Sequence, residues 1–209
     1  MDADNRSKPP LLADERVTLT GFLEYQRETL AVKCAGLTAA QLRERAVPPS
    51  ALSLLGLVRH MAEVEQSWFR LVMSGQRVPY HWPLRPGEDA DFSGGSAEFD
   101  VTDADPQEAF EVWRAECARS RDFAAAAESL DVTGHYEDDT FSLRYVLTHM
   151  IEEYARHNGH ADLLRESVDG ETGELSLCLV KGRRVVKEGT QVLVEDGGAL
   201  QVGQVADVR

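Results

Sequence analysis

Three side chains of this sequence have the types and the spacing of a metal site. Glu153 and His157 lie four positions apart in a segment of helical periodicity, so their side chains stack on one face of a helix. The other positions of that face, Met150, Ala161 and Leu164, are apolar, which predicts that the face points into the protein interior. A carboxylate is costly there unless it is paired or bound to a cation.

The third side chain is His60, which belongs to a second helical segment. Leu57 and Met61 flank it at positions that place His60 on the apolar face or at its edge. Histidine and glutamate side chains that face one another inside a helical bundle are a usual way to bind a metal ion. We therefore predict that His60, Glu153 and His157 are metal ligands.

Two other interpretations stay open. On spacing alone, Glu153 and His157 would fit an ion pair on a solvated helix face equally well, because helices contain many such pairs. A single histidine on an apolar face, such as His60, is more often a hydrogen-bonded core residue than a ligand. In that case the three side chains would form an internal hydrogen-bond network in a bundle without metal.

A site with three protein ligands leaves at least one coordination position open, as in catalytic rather than structural zinc sites. Zinc is the leading choice, with nickel or iron(II) as alternatives, because two histidines and one carboxylate also suit non-haem iron. No catalytic residue is identified. We expect further residues to orient a ligand or to line a pocket beside the site, namely His149, His160, Tyr80, Trp82 and Arg144.

Helices must position these side chains, and the sequence contains four long amphipathic segments. Apolar residues recur at helical spacing in residues 14–35, 53–73, 105–129 and 142–167. A stretch rich in proline and glycine, residues 76–104, separates the second segment from the third. The pattern predicts an all-α fold, a four-helix bundle with a long crossover between helices 2 and 3.

The residues after Gly170 follow a different pattern. Apolar and polar residues alternate at 175–179, and again on both sides of the turn sequence Asp196-Gly-Gly. A period of two around a turn predicts one or two β-hairpins. We therefore divide the chain into a helical bundle, residues 1–169, and a short hairpin-like C-terminal extension, residues 170–209.

Charge and cysteine content argue against several kinds of partner and site. The formal net charge is −14 and the isoelectric point about 4.8, so phosphate backbones and anionic membrane surfaces should be repelled. Three widely spaced cysteines without a CxxC pair favour a reducing compartment over a disulfide framework. The polar N-terminus lacks a signal-peptide core, and no apolar run approaches the ~18 residues of a membrane span. We expect a cytoplasmic protein that binds neither nucleic acid nor membrane.

Two segments carry a resemblance to a known family. LVRHMAEVEQSW, which contains His60, and HMIEEYARHNGHADLLRE, which contains Glu153 and His157, resemble the DinB-like superfamily. The resemblance covers about residues 10–168. It is closest to the actinobacterial branch that includes mycothiol-dependent maleylpyruvate isomerase, because that branch has Glu and then His at the paired positions, where many other members have two histidines.

The resemblance implies a four-helix bundle with a long crossover between helices 2 and 3. It also implies a divalent metal, often zinc, bound by one histidine of helix 2 and two residues of helix 4. Those positions are His60, Glu153 and His157 here. It also implies a thiol transferase or isomerase that activates mycothiol or a related small thiol and delivers it to an electrophilic substrate. The alternatives are a non-catalytic metal- or ligand-binding stress-response protein and a metal-dependent hydrolase. A homodimer is left open.

Overall fold

The computed structural model describes residues 6–82 and 96–172, together with three strands between residues 184 and 203. The chain divides into two compact units, Met1–Gly173 and Glu174–Arg209. The α-helices of the first unit are α1 (Glu15–Cys34), α2 (Ala39–Arg43), α3 (Leu54–Glu65), α4 (Pro106–Ala126) and α5 (Leu143–Asp169).

The long helices begin where the sequence offers a capping side chain. Asp14, Ser53, Asp105 and Ser142 each accept a hydrogen bond from a backbone N–H of the following first turn. At the other end of α5, Gly170 adopts a left-handed conformation with φ 81°, and its N–H donates to the carbonyl of the preceding turn. Local chemistry therefore fixes where the helices start and where the last of them stops.

The second predicted helix changes its hydrogen-bonding pattern part-way along. The α-helical pattern of α3 ends at Glu65, and Gln66–Met73 continue as a π-helix. The apolar periodicity of residues 53–73 did not reveal this change, because the eight residues of the π-helix are too few to establish a separate period. π-helical segments are rare and are frequently found at functional sites.

A β-hairpin between α4 and α5 is an addition to the predicted architecture. Its strands β1 (Thr133–Tyr136) and β2 (Asp139–Ser142) pair antiparallel. A Cβ on Gly134 would lie 2.4 Å from the backbone carbonyl oxygen of Val72, so only glycine fits where the hairpin meets the π-helix. The sequence suggested only a polar turn here, because the strands are short and mostly polar.

The four long helices share one apolar core. Helix α1 packs against α5, α3 and the π-helix pack against α4, and α3 also contacts α5. The largest fully buried apolar side chains come from α1, from α3 and the π-helix, and from α5: Leu23, Leu30, Leu54, Leu55, Leu57, Met61, Phe69, Leu143, Leu147 and Met150. The contact between α3 and α5 is the one that brings the predicted metal ligands together.

The crossover runs from the π-helix to α4, and its residues 83–95 lie outside the described residues. A short 3₁₀ helix, Ser96–Phe99, precedes α4. The Arg59 guanidinium donates to the carbonyl of Asp100 and so ties this end of the crossover to α3. Within the described parts of the chain, no helix combines the length and apolar character needed to cross a membrane.

The described residues of the second unit form an antiparallel sheet. Its strands β3 (Arg184–Glu188), β4 (Gln191–Asp196) and β5 (Ala199–Gly203) pair in the order β3-β4-β5. The chain is mostly helical, as predicted, and this sheet lies in the segment for which hairpins were predicted, whereas the hairpin before α5 was not predicted. The alternation at 175–179 falls outside the described residues.

Candidate metal centre

The side chains of His60, Glu153 and His157 converge between α3 and α5. One ligand atom from each lies within 4.8 Å of the other two. The three side chains are only 11 to 17% exposed, so they sit just below the surface of the bundle. Burial removes most of the hydration of the Glu153 carboxylate, so the ionised group needs a charged or hydrogen-bonding partner to offset this cost.

The geometry of these three side chains fits a small divalent metal ion. Two ligand atoms at about 2.1 Å from a tetrahedral metal are roughly 3.4 Å apart. Nε2 of His157 lies 3.5 Å from Oε2 of Glu153, and the His60 and His157 rings meet edge to face with centroids 4.7 Å apart. Small side-chain rotations would bring all three ligand atoms to metal-binding distance.

Glu98, which the sequence analysis missed, orients His60. Its Oε1 lies 3.2 Å from Nδ1 of His60, and both side chains are buried. The ring of Phe99 stacks on the other side of His60 with centroids 5.2 Å apart. With Nδ1 committed to a carboxylate, Nε2 is the His60 nitrogen left for a metal, as in many histidine-ligated sites.

The two histidines predicted to support the site lie next to its ligands. Nδ1 of His160 is 3.4 Å from Nδ1 of His157, and Nε2 of His149 is 3.6 Å from Oε1 of Glu153. The ring of His149 also packs against Trp68, with centroids 4.6 Å apart. Each of the two predicted ligands on α5 thus has a histidine beside it.

The pKa of Glu153 is lowered in this environment. The hydrogen bond from His157 is the largest cause, and burial, which raises the pKa, is the second. The charges of His149, His157 and Arg156 add to the lowering, so that the pKa falls overall. Burial lowers the pKa of His160, and the neighbouring charge of His157 lowers it further. The environment therefore favours an ionised Glu153, and the carboxylate is the form of a glutamate that binds metals.

The three predicted pocket residues have different outcomes. The Trp82 ring lies under the guanidinium of Arg59, with Cζ 4.5 Å from the ring centroid. Arg59 directly precedes the predicted ligand His60 on α3. Tyr80 is half-buried in the same stretch. Arg144 is not at the site, because it forms ion pairs with Glu15 and Asp131 on the surface.

Arg144 begins the same helix that carries Glu153, which explains why its assignment to the pocket was wrong. Nine residues separate the two positions, or about 13 Å along a helix axis. Its two carboxylate partners raise the pKa of the Arg144 guanidinium. The sequence pattern showed the shared helix but could not show these distant partners.

Glu63 is a second carboxylate that the sequence analysis missed. It lies one turn beyond His60 on α3, and its Oε1 accepts hydrogen bonds from the backbone N–H groups of His81 and Trp82 at 2.8 and 3.2 Å. Burial raises the pKa of Glu63 to about 7, although these backbone hydrogen bonds act in the opposite direction. Glu63 thus anchors the start of the crossover beside the metal-site region.

A second buried polar cluster, here called the Arg27 network, lies elsewhere in the same core. The guanidinium of Arg27 donates to both oxygens of Glu65 at 2.7 and 2.8 Å. Tyr154 donates to Oε1 of Glu65 at 2.8 Å, and the Trp113 indole donates to the Tyr154 oxygen at 2.8 Å. The thiol of Cys117 completes the network, 3.5 Å from the same Glu65 oxygen.

The chain's own described thiols are poor nucleophiles. Cys34 and Cys117 are both free and buried. Burial raises the pKa of Cys34 to about 12 and also raises that of Cys117, where the Glu65 charge adds to the effect. Since the thiolate is the reactive form, neither side chain is prepared for nucleophilic attack at neutral pH.

Comparison with known proteins identifies both a family and a similar fold. The family model described as mycothiol-S-transferase matches residues 18–170. The crystal structure of a conserved protein from Enterococcus faecalis has a similar fold, with a TM-score of 0.59 over 77% of this chain and 100% of that chain. Because the two sequences are 15% identical, this likeness bears on the fold alone. No curated protein matches the sequence.

Proposed function

The chain belongs to the mycothiol-S-transferase family, within the DinB-like superfamily, and we propose that it is a metal-dependent enzyme that transfers a small thiol to an electrophile. The observation that carries the proposal is the convergence of His60, Glu153 and His157 in one partly buried site. A thiol such as mycothiol and a small electrophilic molecule would be its substrates.

His60, Glu153 and His157 would hold the metal, with zinc the leading choice. When bound there, a divalent metal would supply Lewis-acid chemistry that favours the thiolate form of a thiol at neutral pH. Glu98 holds the Nδ1 side of His60 and so presents Nε2 to the site. Three protein ligands would leave room for a substrate sulfur.

The buried cysteines support a substrate thiol as the nucleophile. Cys34 and Cys117 both have raised pKa values and are at most 4% exposed, so the described part of the chain has no thiolate prepared for attack at neutral pH. A transferase of this kind needs a thiol from solution and a group that activates it. The three-ligand cluster is the place in the described bundle with the chemistry to do so.

Elemental analysis of the protein purified without a histidine tag is the first test. We expect about one equivalent of a divalent metal in the wild type and its loss in His157→Ala. The exposed His135 offers a matched control, since it is bonded to Thr140 in the hairpin rather than to the site. A His135→Ala variant should keep the metal, whereas a wild type that is metal-free and cannot be reconstituted would contradict the proposal.

Thiol turnover then separates the possible activities. The metal-loaded protein is mixed with mycothiol and a panel of electrophiles while free thiol and products are measured. A transferase consumes thiol in proportion to product, and His60→Ala should lower that rate by more than about 100-fold, above the usual range for an outer-shell partner. An isomerase would regenerate the thiol, and a hydrolase would work without it. Metal retained without turnover of any substrate would indicate a binding protein.

A further inference from the structure

A cavity of about 260 Å³ lies on another side of the bundle, between α1 and α4. Its inner wall is apolar and comes from the core, with Leu23, Phe69, Ala124 and Leu147 all 7% exposed or less. Phe69 follows His60 by nine residues on one continuous helical rod, which is roughly 10 Å or more along the axis. None of the predicted metal ligands lines the cavity.

Charged side chains stand around the cavity, and most of them cancel in pairs. Arg27 is fully engaged by Glu65 through two hydrogen bonds. Arg121 forms a two-pronged ion pair with Glu24, at 2.8 and 2.6 Å. These two pairs together leave no net charge at the cavity.

Arg16 is the exception. Its guanidinium donates to the backbone carbonyl of Ala124 at the cavity wall. Among residues 6–82 and 96–172, no carboxylate lies within ion-pair distance of it. The cavity therefore combines an apolar interior with one uncompensated positive charge that a guanidinium can present to a planar anion.

We propose that this cavity is a binding site for a small monocarboxylate with an apolar body. One negative charge would balance the charge of Arg16. A dianion would exceed this positive charge, and a neutral molecule would leave Arg16 without a counter-charge. The apolar part would replace water against Leu23, Phe69 and Leu147. The volume is slightly below the ~300 Å³ that bounds typical ligand pockets, so the ligand is a short-chain or single-ring acid rather than a long lipid.

Calorimetric titration of the full-length, metal-loaded protein tests this site. The probes are butanoate, hexanoate and octanoate, with hexanol and hexylammonium as uncharged and positively charged controls. We expect saturable binding of one carboxylate per chain, with affinity rising about fourfold per methylene until the cavity is full. Hexanol should bind more weakly than hexanoate, and hexylammonium should not bind.

Two variants locate the binding. Arg16→Gln should weaken hexanoate binding about tenfold or more, because it removes a charge-assisted hydrogen bond, while Arg45→Gln, the same change at an exposed arginine, should not. Ala124→Leu should fill the cavity from its wall and abolish the gain with chain length. Circular dichroism confirms that each variant is folded.

A carboxylate could also coordinate an open metal ion, so the titration is repeated in His157→Ala. Unchanged binding in this variant places the ligand in the α1–α4 cavity, independently of the metal site. Binding that disappears with the metal, or that is insensitive to Arg16→Gln and Ala124→Leu, would overturn the assignment. No binding of any of the three carboxylates would overturn it as well.

Discussion

Two clusters of buried polar side chains both draw residues from α3 and α5, yet they differ in how their polar groups are satisfied. In the Arg27 network, Glu65 of α3 receives two hydrogen bonds from a guanidinium and a third from Tyr154 of α5. In the cluster of His60, Glu153 and His157, here called the metal-site cluster, Glu153 lies 3.6 Å from His149 and 3.5 Å from His157. Glu153 is the residue just before Tyr154. Adjacent residues of one helix thus serve two kinds of site.

The difference separates a closed network from an open one. The Arg27 network pairs one positive with one negative group, and Tyr154 and Trp113 complete it, so it has little left to offer a ligand. The metal-site cluster brings together atoms that can all act as electron-pair donors toward a cation. We infer that the first cluster stabilises the bundle and the second is kept for binding.

The largest effect should follow from opening the closed network. Arg27→Ala leaves the fully buried Glu65 without its counter-charge, which should lower the free energy of unfolding by about 3–5 kcal/mol. Urea denaturation in the presence of a chelator measures this. His157→Ala, made in the open cluster, should change the same quantity by only about 1 kcal/mol, because Glu153 keeps His149 beside it and is 17% exposed.

A double variant sharpens this prediction. Arg27→Met with Glu65→Leu removes both charges together and replaces them with apolar groups, so most of the lost stability should return. If Arg27→Ala were no more destabilising than His157→Ala, the Arg27 network would not stabilise the bundle more than the metal-site cluster does.

Metal addition should act in the opposite sense, on the open cluster alone. Zinc at about 1,000 times its dissociation constant should raise the free energy of unfolding of the wild type by about 4 kcal/mol, because it binds the folded state. Thermal denaturation with and without zinc measures the shift. His157→Ala should show little shift, and Arg27→Met with Glu65→Leu should show the full one. Equal shifts in wild type and His157→Ala would mean that zinc binds elsewhere.

The sequence revealed the main features of the fold because they depend on local patterns. Amphipathic periodicity located the four long helices, and the caps that Ser53 and Asp105 provide in the structure agree with the predicted starts at residues 53 and 105. The hairpin before α5 was missed because its short strands owe their position to contact with the π-helix, which Gly134 makes possible. That contact joins segments about 60 residues apart, and no local pattern announces it.

The site shows the same division. Spacing on α5 identified Glu153 and His157, and apolar neighbours identified His60, so the cluster that the structure assembles could be named beforehand. Glu98 could not, because its contact with His60 spans 38 residues and depends on how the crossover returns to α3. Arg144 was placed near the site because it shares α5 with Glu153, but its ion-pair partner Glu15, which is 129 residues away in the sequence, holds it elsewhere.

Glu63 offers an intermediate case between the closed and open clusters. Its folded-state pKa of about 7 is above that of an unfolded glutamate, so the folded state holds a proton that the unfolded state releases. The wild type should therefore lose stability as pH rises from about 4.5 to 7, by up to about 3 kcal/mol. Glu63→Gln cannot titrate and should not share this loss.

Urea denaturation from pH 4.5 to 8, in chelator, measures the difference between the two proteins. The free energy of unfolding of Glu63→Gln, relative to that of the wild type, should rise steadily up to about pH 7. Above that pH the difference between the two proteins should stay constant. The glutamine oxygen can still accept the N–H groups of His81 and Trp82, so the anchor of the crossover is kept. Parallel profiles throughout would show that Glu63 has an ordinary pKa in the folded protein.

The smallest effect, and the most direct test of how the open cluster is built, concerns Glu98. Glu98→Gln keeps the size of the side chain but removes the charge that holds Nδ1 of His60, so zinc affinity should fall about 10- to 100-fold. Competition with a chromogenic chelator measures the affinity, and the exposed Glu128 provides a matched control as Glu128→Gln.

The two possible results assign the orientation of His60 to different causes. A weaker affinity with unchanged stability would mean that the carboxylate fixes which nitrogen of His60 faces the site. An unchanged affinity would mean that the stacked ring of Phe99 and the packing of α3 suffice. In that case the open cluster would resemble the Arg27 network in one respect: its geometry would be set by the packed core rather than by the crossover.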